Sequence, residues 1–339
     1  LGLTLIAGPI GKCAQFPFHL WLDEAMEGPN PASILRNSVV VTCGAYVLIR
    51  LQPIVVLSPI ALGTLVVVGS ITAVGASLVA LAQVDIKRTL SYSTSAYLGL
   101  VFIAVGTEWP GVALMILLTH AVAKALLFMA VGAIILTTNS QDVTELGGLG
   151  PKMPATTLAY GGGALGMVGL FPLGCFWGYR LGIDFLWNDY PELVAIFLLV
   201  NLLTALNLTR VFRLVFLGEA QPKTRRAPEV AWPLAFPMVT LTLFTLLVPF
   251  VLQKLYLLPP WAYVNKPALV LLIVSGAVGI SIGAAIPLSK TLVRSMSRPV
   301  RLLQDLLAYD FYTERLYRVT VVGVVRYLAI ASNWFDRYV

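Results

Sequence analysis

Charged residues are scarce in this chain of 339 residues, since Asp, Glu, Lys and Arg together make up 12% of it. Soluble globular domains carry about 25%. Hydrophobic residues make up 58%, and the mean hydropathy is +0.86. So little polar surface cannot coat a water-facing globule, which excludes a soluble enzyme and a disordered region. Because several apolar runs are long enough to cross a bilayer, the composition predicts an all-α polytopic membrane protein.

Cysteine and histidine are few as well. Cys13, Cys43 and Cys175 lie far apart in apolar segments without a C-x-x-C spacing, and there are two histidines. This distribution argues against a disulfide framework and against metal ligation. The spelling G-x-G-x-x-G occurs at 161–166, but within a predicted membrane span and not between a strand and a helix, so it does not indicate a dinucleotide site. We therefore expect no cofactor in this chain.

Apolar windows predict nine membrane spans, because a helix needs about 20 residues to cross about 30 Å of hydrocarbon. The predicted spans lie near residues 1–20, 32–51, 55–82, 90–106, 112–137, 156–187, 193–217, 232–255 and 268–288. Short connections with helix breakers, such as Pro259-Pro260, separate them.

The basic residues of the predicted loops collect on one side of the membrane. If all nine segments cross, one side receives Lys87, Arg88, Lys152, Arg213, Lys223, Arg225, Arg226, Lys290, Arg294 and Arg298. The other side receives little beyond Arg50, Lys254 and Lys266. By the positive-inside rule, the first side faces the cytoplasm or its equivalent. The net charge of +7 therefore reports topology, and we expect no nucleic-acid partner.

The pattern changes after Pro299, where charged residues such as Arg301 and Asp305 are distributed among Leu, Val, Tyr and Phe at helical spacing. This spacing favours a C-terminal amphipathic helix that lies laterally on the membrane surface. The alternative is a tenth crossing through residues 319–331. That segment is interrupted by Arg326 and is short for a span, which needs about 20 residues.

Two predicted spans contain a proline well inside the apolar run, Pro17 and Pro172, each with glycine nearby. Proline removes a backbone hydrogen bond, so both helices are predicted to be discontinuous. Broken helices in corresponding positions mark the binding path in many transporters. The alternative is a kink that only improves packing.

Ionisable residues within the predicted spans are candidates for function, because a Lys at the centre of a span costs about 2.5–3.5 kcal/mol on insertion scales. His120 and Lys124 lie four residues apart and so share one helix face near the middle of their span. A buried Lys can change its proton occupancy when its hydration or partner changes, which is the chemistry of a proton relay. Lys12 is a further candidate, unless it snorkels to a helix end. Arg36 and Arg180 lie either within the spans or at the interface.

Three motifs, in order over most of residues 11–190, resemble those of the proton-pumping antiporter-like subunits of respiratory complex I. Gly11–Pro29 resembles G-K-S-A-Q-x-P-x-H-x-W-L-x-x-A-M-x-G-P, Asp85–Ser93 resembles D-I-K-R-x-L-A-Y-S, and Thr119–Phe128 resembles T-H-A-x-x-K-A-L-L-F. The resemblance implies an antiporter-like bundle with discontinuous helices. It also implies that Lys12 is the buried lysine of the first broken helix and that His120 and Lys124 form the central relay pair.

Several positions depart from the family pattern. Ile116 stands where the family has a second His, eight residues before the central Lys. In the F-W-S-K-D-E motif, Tyr179 stands at the Lys position and Arg180 at the position after it. In the S-A-L-I-H-A-A-T motif, the His position is occupied by Arg36 or by Asn37. Since Arg does not release its proton in proteins, we hypothesise that the pathway at Arg36, Tyr179 and Arg180 is rerouted or fixed in charge.

The resemblance also implies an organisation. Residues 1–51 would be the last two helices of a first antiporter-like repeat, 52–217 a second repeat, 218–290 additional membrane helices and 291–339 the start of the lateral helix. Such a tail is typical of the distal large subunit, and residues 19–33 are similar to the cyanobacterial form of that subunit devoted to inducible carbon dioxide uptake.

On this resemblance, the chain is a proton-translocating subunit without a redox centre, in a thylakoid complex that passes electrons from ferredoxin or NAD(P)H to plastoquinone. Its partners would be other membrane-arm subunits, a carbon dioxide hydration protein and lipids. Two alternatives stay open. The chain is a subunit of a multisubunit cation/proton antiporter, or it is a structural anchor for the hydration protein.

Overall fold

The computed structural model describes residues 1–255, 258, 265–285 and 298–338. The chain divides into two units, Leu1–Arg294 and Ser295–Val339. Helices dominate both, and within the described residues the only strand-like pairing is an isolated bridge between Asp85 and Asp142. The predicted all-α class is confirmed. Pro259-Pro260, residues 286–288 of the last predicted span, and the loop cations Lys290 and Arg294 lie outside the described residues.

The first unit is a bundle of long and short helices. They are α1 (Gly2–Lys12), α2 (Leu20–Glu24), α3 (Asn30–Leu35), α4 (Val41–Val55), α5 (Pro59–Ala82), α6 (Ile86–Gly106), α7 (Pro110–Thr138), α8 (Pro154–Met167), α9 (Cys175–Leu186), α10 (Pro191–Phe216), α11 (Trp232–Lys254) and α12 (Lys266–Ala285). A π-helical turn joins α3 to α4 in one continuous span, Asn30–Val55. Several of the helices begin with proline at the first position, where a missing N–H is harmless.

Seven helices of the described chain are long and apolar enough to cross a membrane: Asn30–Val55, α5, α6, α7, α10, α11 and α12. They correspond to seven of the nine predicted spans. The remaining two predicted spans are the broken helices, α1 with α2 and α8 with α9. The breaks lie where the prolines predict them, and the Phe16–Pro17 and Phe171–Pro172 peptide bonds are both cis.

Helix α6 lies at the centre of the bundle, with 94% of its apolar window buried. Its closest neighbour is α5, against which it packs through glycine. A Cβ atom on Gly99 would lie 2.6 Å from the backbone oxygen of Gly69, so no larger residue fits at this crossing. Small residues let helix backbones approach closely within a membrane. This placement makes α6 a neighbour of both breaks.

The second unit, Ser295–Val339, is described by itself. A kink at which Asp310, Phe311 and Tyr312 have positive φ separates the helical segment Arg298–Ala308 from Thr313–Tyr317. A π-helical turn, Arg318–Val322, then leads into Gly323–Tyr338. The tail is thus helical, but segmented and not one continuous helix. None of the seven span-like helices lies in the described part of this unit. Its lateral position on the membrane stays a prediction.

Candidate functional site

Lys124 lies on α7 with no exposed surface. Its Nζ donates hydrogen bonds to the backbone oxygen of Leu90, at 2.8 Å, and to Oγ of Ser93, both on α6. Within the described residues it forms no ion pair, so its acceptors are neutral. These two neutral acceptors hold the amine in place without a counter-ion.

His120 lies one turn before Lys124, and the structure brings both to the same buried face, as predicted. The ring of His120 stacks on that of Tyr97 with centroids 5.4 Å apart and an interplanar angle of 27°. Neither ring nitrogen of His120 has a hydrogen-bond partner among the described residues. The hydroxyl of Tyr97 donates to the backbone oxygen of Met167, the last residue of α8 before the second break.

Sequence reasoning missed Tyr97. The available signal was that Tyr97 follows, after Ala96, a run of buried polar residues near the start of α6, which consists of Ser91, Tyr92, Ser93, Thr94 and Ser95. This run also reaches the first break, because Nε2 of Gln15 donates to the backbone oxygen of Ser95 at 3.2 Å. Helix α6 therefore connects the first break, Lys124 and the second break.

Tyr179 and Arg180 lie on α9, directly after the second break. Tyr179 is fully buried, and its ring meets those of Tyr97 and Phe197 edge-on, with centroids 5.9 Å and 6.0 Å away. The side chain of Arg180 is 2% exposed, and its Nε lies 3.5 Å from Oδ2 of Asp184. Tyr179 thus belongs to the central cluster around His120, whereas Arg180 turns to an acid that sequence reasoning did not single out.

Lys12 departs from the expectation of burial. It lies in the last turn of α1, and within the described chain it is exposed. The stem of its side chain packs over Gly44, where an added Cβ would lie 2.8 Å from Cβ of Lys12. The contact with α4 covers only the stem, so the described residues do not enclose the ammonium group as the resemblance implies.

Arg36 is half-buried, in the π-helical turn. Its Nη1 donates to the backbone oxygen of Ala25, which begins the short 3-10 turn after α2. Cations are favoured at carbonyl ends of helices, so this contact stabilises the end of the first broken helix. The structure therefore places Arg36 at the end of α2. Arg36 takes no part in the contacts that join Lys124, His120 and Tyr179.

Lys87 and Arg88, predicted as loop cations, belong to the first turn of α6 and bind the same helix end. The Asp85 carboxylate accepts from both of their amides, at 2.8 Å and 3.0 Å. Nζ of Lys87 donates to the backbone oxygen of Gly28 at 2.9 Å, and the guanidinium of Arg88 contacts the carboxylates of Asp23 and Glu27. The side of the membrane that they face stays a prediction, and their contacts are with protein rather than with water alone.

Two further polar residues in α10 were missed because a predominantly apolar run hides them. Asn201 accepts from the Gly169 amide at 2.7 Å and donates to Oγ of Ser275 at 2.9 Å, which ties the second break to α12. Arg210 donates to the backbone oxygens of Leu81 and Gln83, at 2.7 Å and 2.8 Å, at the end of α5. Both residues fasten helix ends inside the bundle.

The sequence matches one family model over residues 1–204, described as NADH:quinone oxidoreductase/Mrp antiporter, TM. It is 58% identical over 336 residues to NAD(P)H-quinone oxidoreductase subunit 5, organellar chromatophore 2, of Paulinella chromatophora, covering 99% of this chain and 54% of that protein. The chloroplastic subunit 5 of Citrus sinensis is 38% identical over 63% of this chain and 30% of its own length. The chloroplastic subunit 5 of Chara vulgaris is 31% identical over 73% of this chain and 40% of its own length. The chain thus spans about half or less of these relatives.

A solved structure of the Mrp complex from Dietzia sp. contains a chain with the same fold. The TM-score is 0.68 at 19% sequence identity, over 84% of this chain and 61% of that one. This similarity confirms the predicted antiporter-like bundle.

Proposed function

Because the chain belongs to the family of membrane subunits common to NADH:quinone oxidoreductases and Mrp antiporters, we propose that it is a proton-translocating membrane subunit of an NAD(P)H:quinone oxidoreductase. The single observation that carries this proposal is the buried Lys124, held by neutral acceptors on α6 and one turn from His120. An intramembrane amine without a counter-ion gains and loses a proton more readily than one in an ion pair.

The path within the described residues runs along α6. Lys124 and His120 hold the proton, and the hydroxyl-rich start of α6 lines the approach to them from the first break. Tyr179 closes the other side of the cluster and contributes its ring to Tyr97. Arg36 and Arg180 keep their charge and shape the electrostatic field of the path without exchanging protons themselves. Lys12 belongs to the entry at the first break.

The finer setting is a thylakoid membrane, with electrons passing from ferredoxin or NAD(P)H to plastoquinone. The relatives named chloroplastic and chromatophore support this setting, as does the motif at residues 19–33. We further propose that a carbon dioxide hydration protein binds the complex alongside the other membrane-arm subunits. Removal of a proton drives the reaction of carbon dioxide with water toward bicarbonate. A proton path with fixed charges at Arg36 and Arg180 would serve this removal.

The test is Lys124→Ala in the intact complex, assayed in sealed membrane vesicles for quinone reduction and for protons moved per electron. We expect proton movement to fall by at least about tenfold, the scale of losing an acid–base group, while assembly is retained. Lys223→Ala is the matched control, because Lys223 is exposed and pairs only at the surface with Glu145. Unchanged proton movement in Lys124→Ala contradicts the proposal and favours the anchor alternative.

Native-gel sizing after gentle solubilisation distinguishes a subunit of the oxidoreductase from a subunit of a multisubunit cation/proton antiporter. Migration with hydrophilic subunits and quinone-reducing activity supports the proposal. Migration as an assembly without that activity supports a cation/proton antiporter.

A further inference from the structure

An ion pair lies inside the second half of the second broken helix. Arg180 and Asp184 are one turn apart on α9, with Nε of the guanidinium 3.5 Å from Oδ2 of the carboxylate. The guanidinium carbon of Arg180 lies 5.7 Å from the centroid of the Trp177 ring, which covers it on another side. Charged groups within a membrane span are costly and mark proton or ion pathways by default.

The two partners differ in what they can do. The guanidinium of Arg180 stays protonated in a protein, so it supplies a fixed positive charge and carries no proton. The carboxylate of Asp184 alternates between a charged and a neutral form. Resting on the proposed function, we propose that Asp184 is the proton-release group of this subunit and that Arg180 is its fixed counter-charge.

The position of Asp184 along the bundle fits release. Tyr179, one residue before Arg180, contacts the ring of Tyr97, which stacks on His120. From this cluster, α9 runs toward its end at Leu186, and Asp184 lies one turn beyond Arg180 in that direction. The acid is therefore farther along the helix than the cluster that holds the proton.

The end of α9 lies on the side of the membrane with few basic residues. Phe185, next to Asp184, stacks on Trp109 with ring centroids 3.8 Å apart and an interplanar angle of 6°. Trp109 immediately precedes α7 and follows α6, so it lies across the membrane from Lys87 and Arg88 at the start of α6. By the positive-inside rule this is the side opposite the cytoplasm or its equivalent.

Exposure increases in the same direction. The Arg180 side chain is 2% exposed and that of Asp184 is 17% exposed, so the acid reaches the outside of the described bundle whereas the guanidinium does not. The positive charge of Arg180 repels any second cation nearby. A proton that reaches this region therefore binds the carboxylate of Asp184, which it neutralises.

The transfer balances without any oxidant. An N–H bond of a protonated His120 breaks, the proton moves through water, and an O–H bond forms on Asp184, which becomes neutral beside Arg180. The O–H bond then breaks as the proton passes to bulk water. The carboxylate and its ion pair are restored, and His120 is neutral again.

The experiment compares Asp184→Asn, Asp184→Glu and the control Asp189→Asn in the intact complex in sealed vesicles. Asp189 is an exposed acid beyond the end of α9. We expect Asp184→Asn to lower protons moved per electron by about tenfold or more, Asp184→Glu to restore most of it, and Asp189→Asn to match the unmodified chain.

A purely structural counter-ion is distinguished by the double variant Arg180→Gln/Asp184→Asn, which removes both charges and leaves none unpaired. Recovery of proton movement in the double variant overturns the inference, whereas a persistent defect in assembled complex supports it. The Lys124→Ala variant distinguishes failure of the Asp184 inference from failure of the proposed function. If Lys124→Ala abolishes proton movement and Asp184→Asn does not, only the release group is wrong; if neither has an effect, the proposed function fails.

Discussion

Gly178 of α9 packs directly on Ile116 of α7: a Cβ atom at Gly178 would lie 2.7 Å from Cγ1 of Ile116 and 3.2 Å from its backbone nitrogen. Gly178 stands at the Ser position of the F-W-S-K-D-E motif that the sequence resembles, and Ile116 stands where that family has a His. The two departures therefore meet in space. The close approach sets how near Tyr179 and Arg180, which follow on α9, lie to the relay pair of α7.

Gly178→Ser is expected to destabilise the bundle by about 1–3 kcal/mol, because the added atoms overpack against α7. Thermal denaturation of the purified complex measures this loss. Gly161→Ser is the control, since the nearest atom to a Cβ there is on Phe212 at 4.0 Å. The double variant Gly178→Ser/Ile116→Ala should regain part of the stability. Equal stability of both serine variants would show that the contact is unimportant.

Tyr97→Phe keeps the ring stack on His120 and removes the hydrogen bond to the Met167 oxygen, so we expect a loss of about 1 kcal/mol in stability. Tyr97→Leu removes the stack too and should lower proton movement further than Tyr97→Phe does. Both quantities are measured on vesicles of the intact complex. The matched control is Tyr160→Phe, because Tyr160 is fully buried and its hydroxyl has no hydrogen-bond partner among the described residues. A larger effect in the control would refute the role assigned to the Tyr97 hydroxyl.

Asn201→Leu leaves the Gly169 amide without its acceptor at the second break, and an orphaned buried donor costs about 1–3 kcal/mol. We expect a lower melting temperature of the purified complex. Asn207→Leu on the same helix is the comparison, since the buried Oδ1 of Asn207 has no hydrogen-bond partner in the described chain. The assignment is wrong if the two substitutions have the same effect.

Arg36→His and Arg180→Lys restore groups that can exchange protons at two departures from the family pattern. If fixed charges serve carbon dioxide hydration, these variants should alter carbon uptake more than electron transfer. Inorganic carbon uptake and quinone reduction are measured on the same cells, with Arg50→Lys as an exposed control on α4. Equal loss of both activities contradicts the hypothesis.

The predictable part of the structure followed from local chemistry. Apolar length located the spans, and Pro17 and Pro172 located the breaks, because a missing backbone donor acts wherever the proline lies. The four-residue spacing placed His120 and Lys124 on one face. Each of these inferences depends on residues close in sequence, which is why the bundle confirms them.

The contacts between helices were not predictable in this way. Tyr97 reaches His120 only because α6 lies at the centre of the bundle, and Asp184 escaped notice because a single acid near a helix end is ordinary in a sequence. The side chain of Arg36 contacts the backbone oxygen of Ala25, and the sequence between these two residues does not specify the turn that brings them together. The exposure of Lys12 likewise depends on which helices surround α1, and not on the motif around it.

The burial of α6 has a consequence for biogenesis. Its best 18-residue window has a mean hydropathy of 1.3, against 2.3 for α5, although α6 is the more enclosed of the two. A segment this rich in hydroxyls partitions weakly into lipid alone, and its first turn carries Lys87 and Arg88. We therefore expect the insertion machinery to deliver α5 and α6 as a helical hairpin. The close backbone contact at Gly69 and Gly99 would form as the pair leaves the translocon.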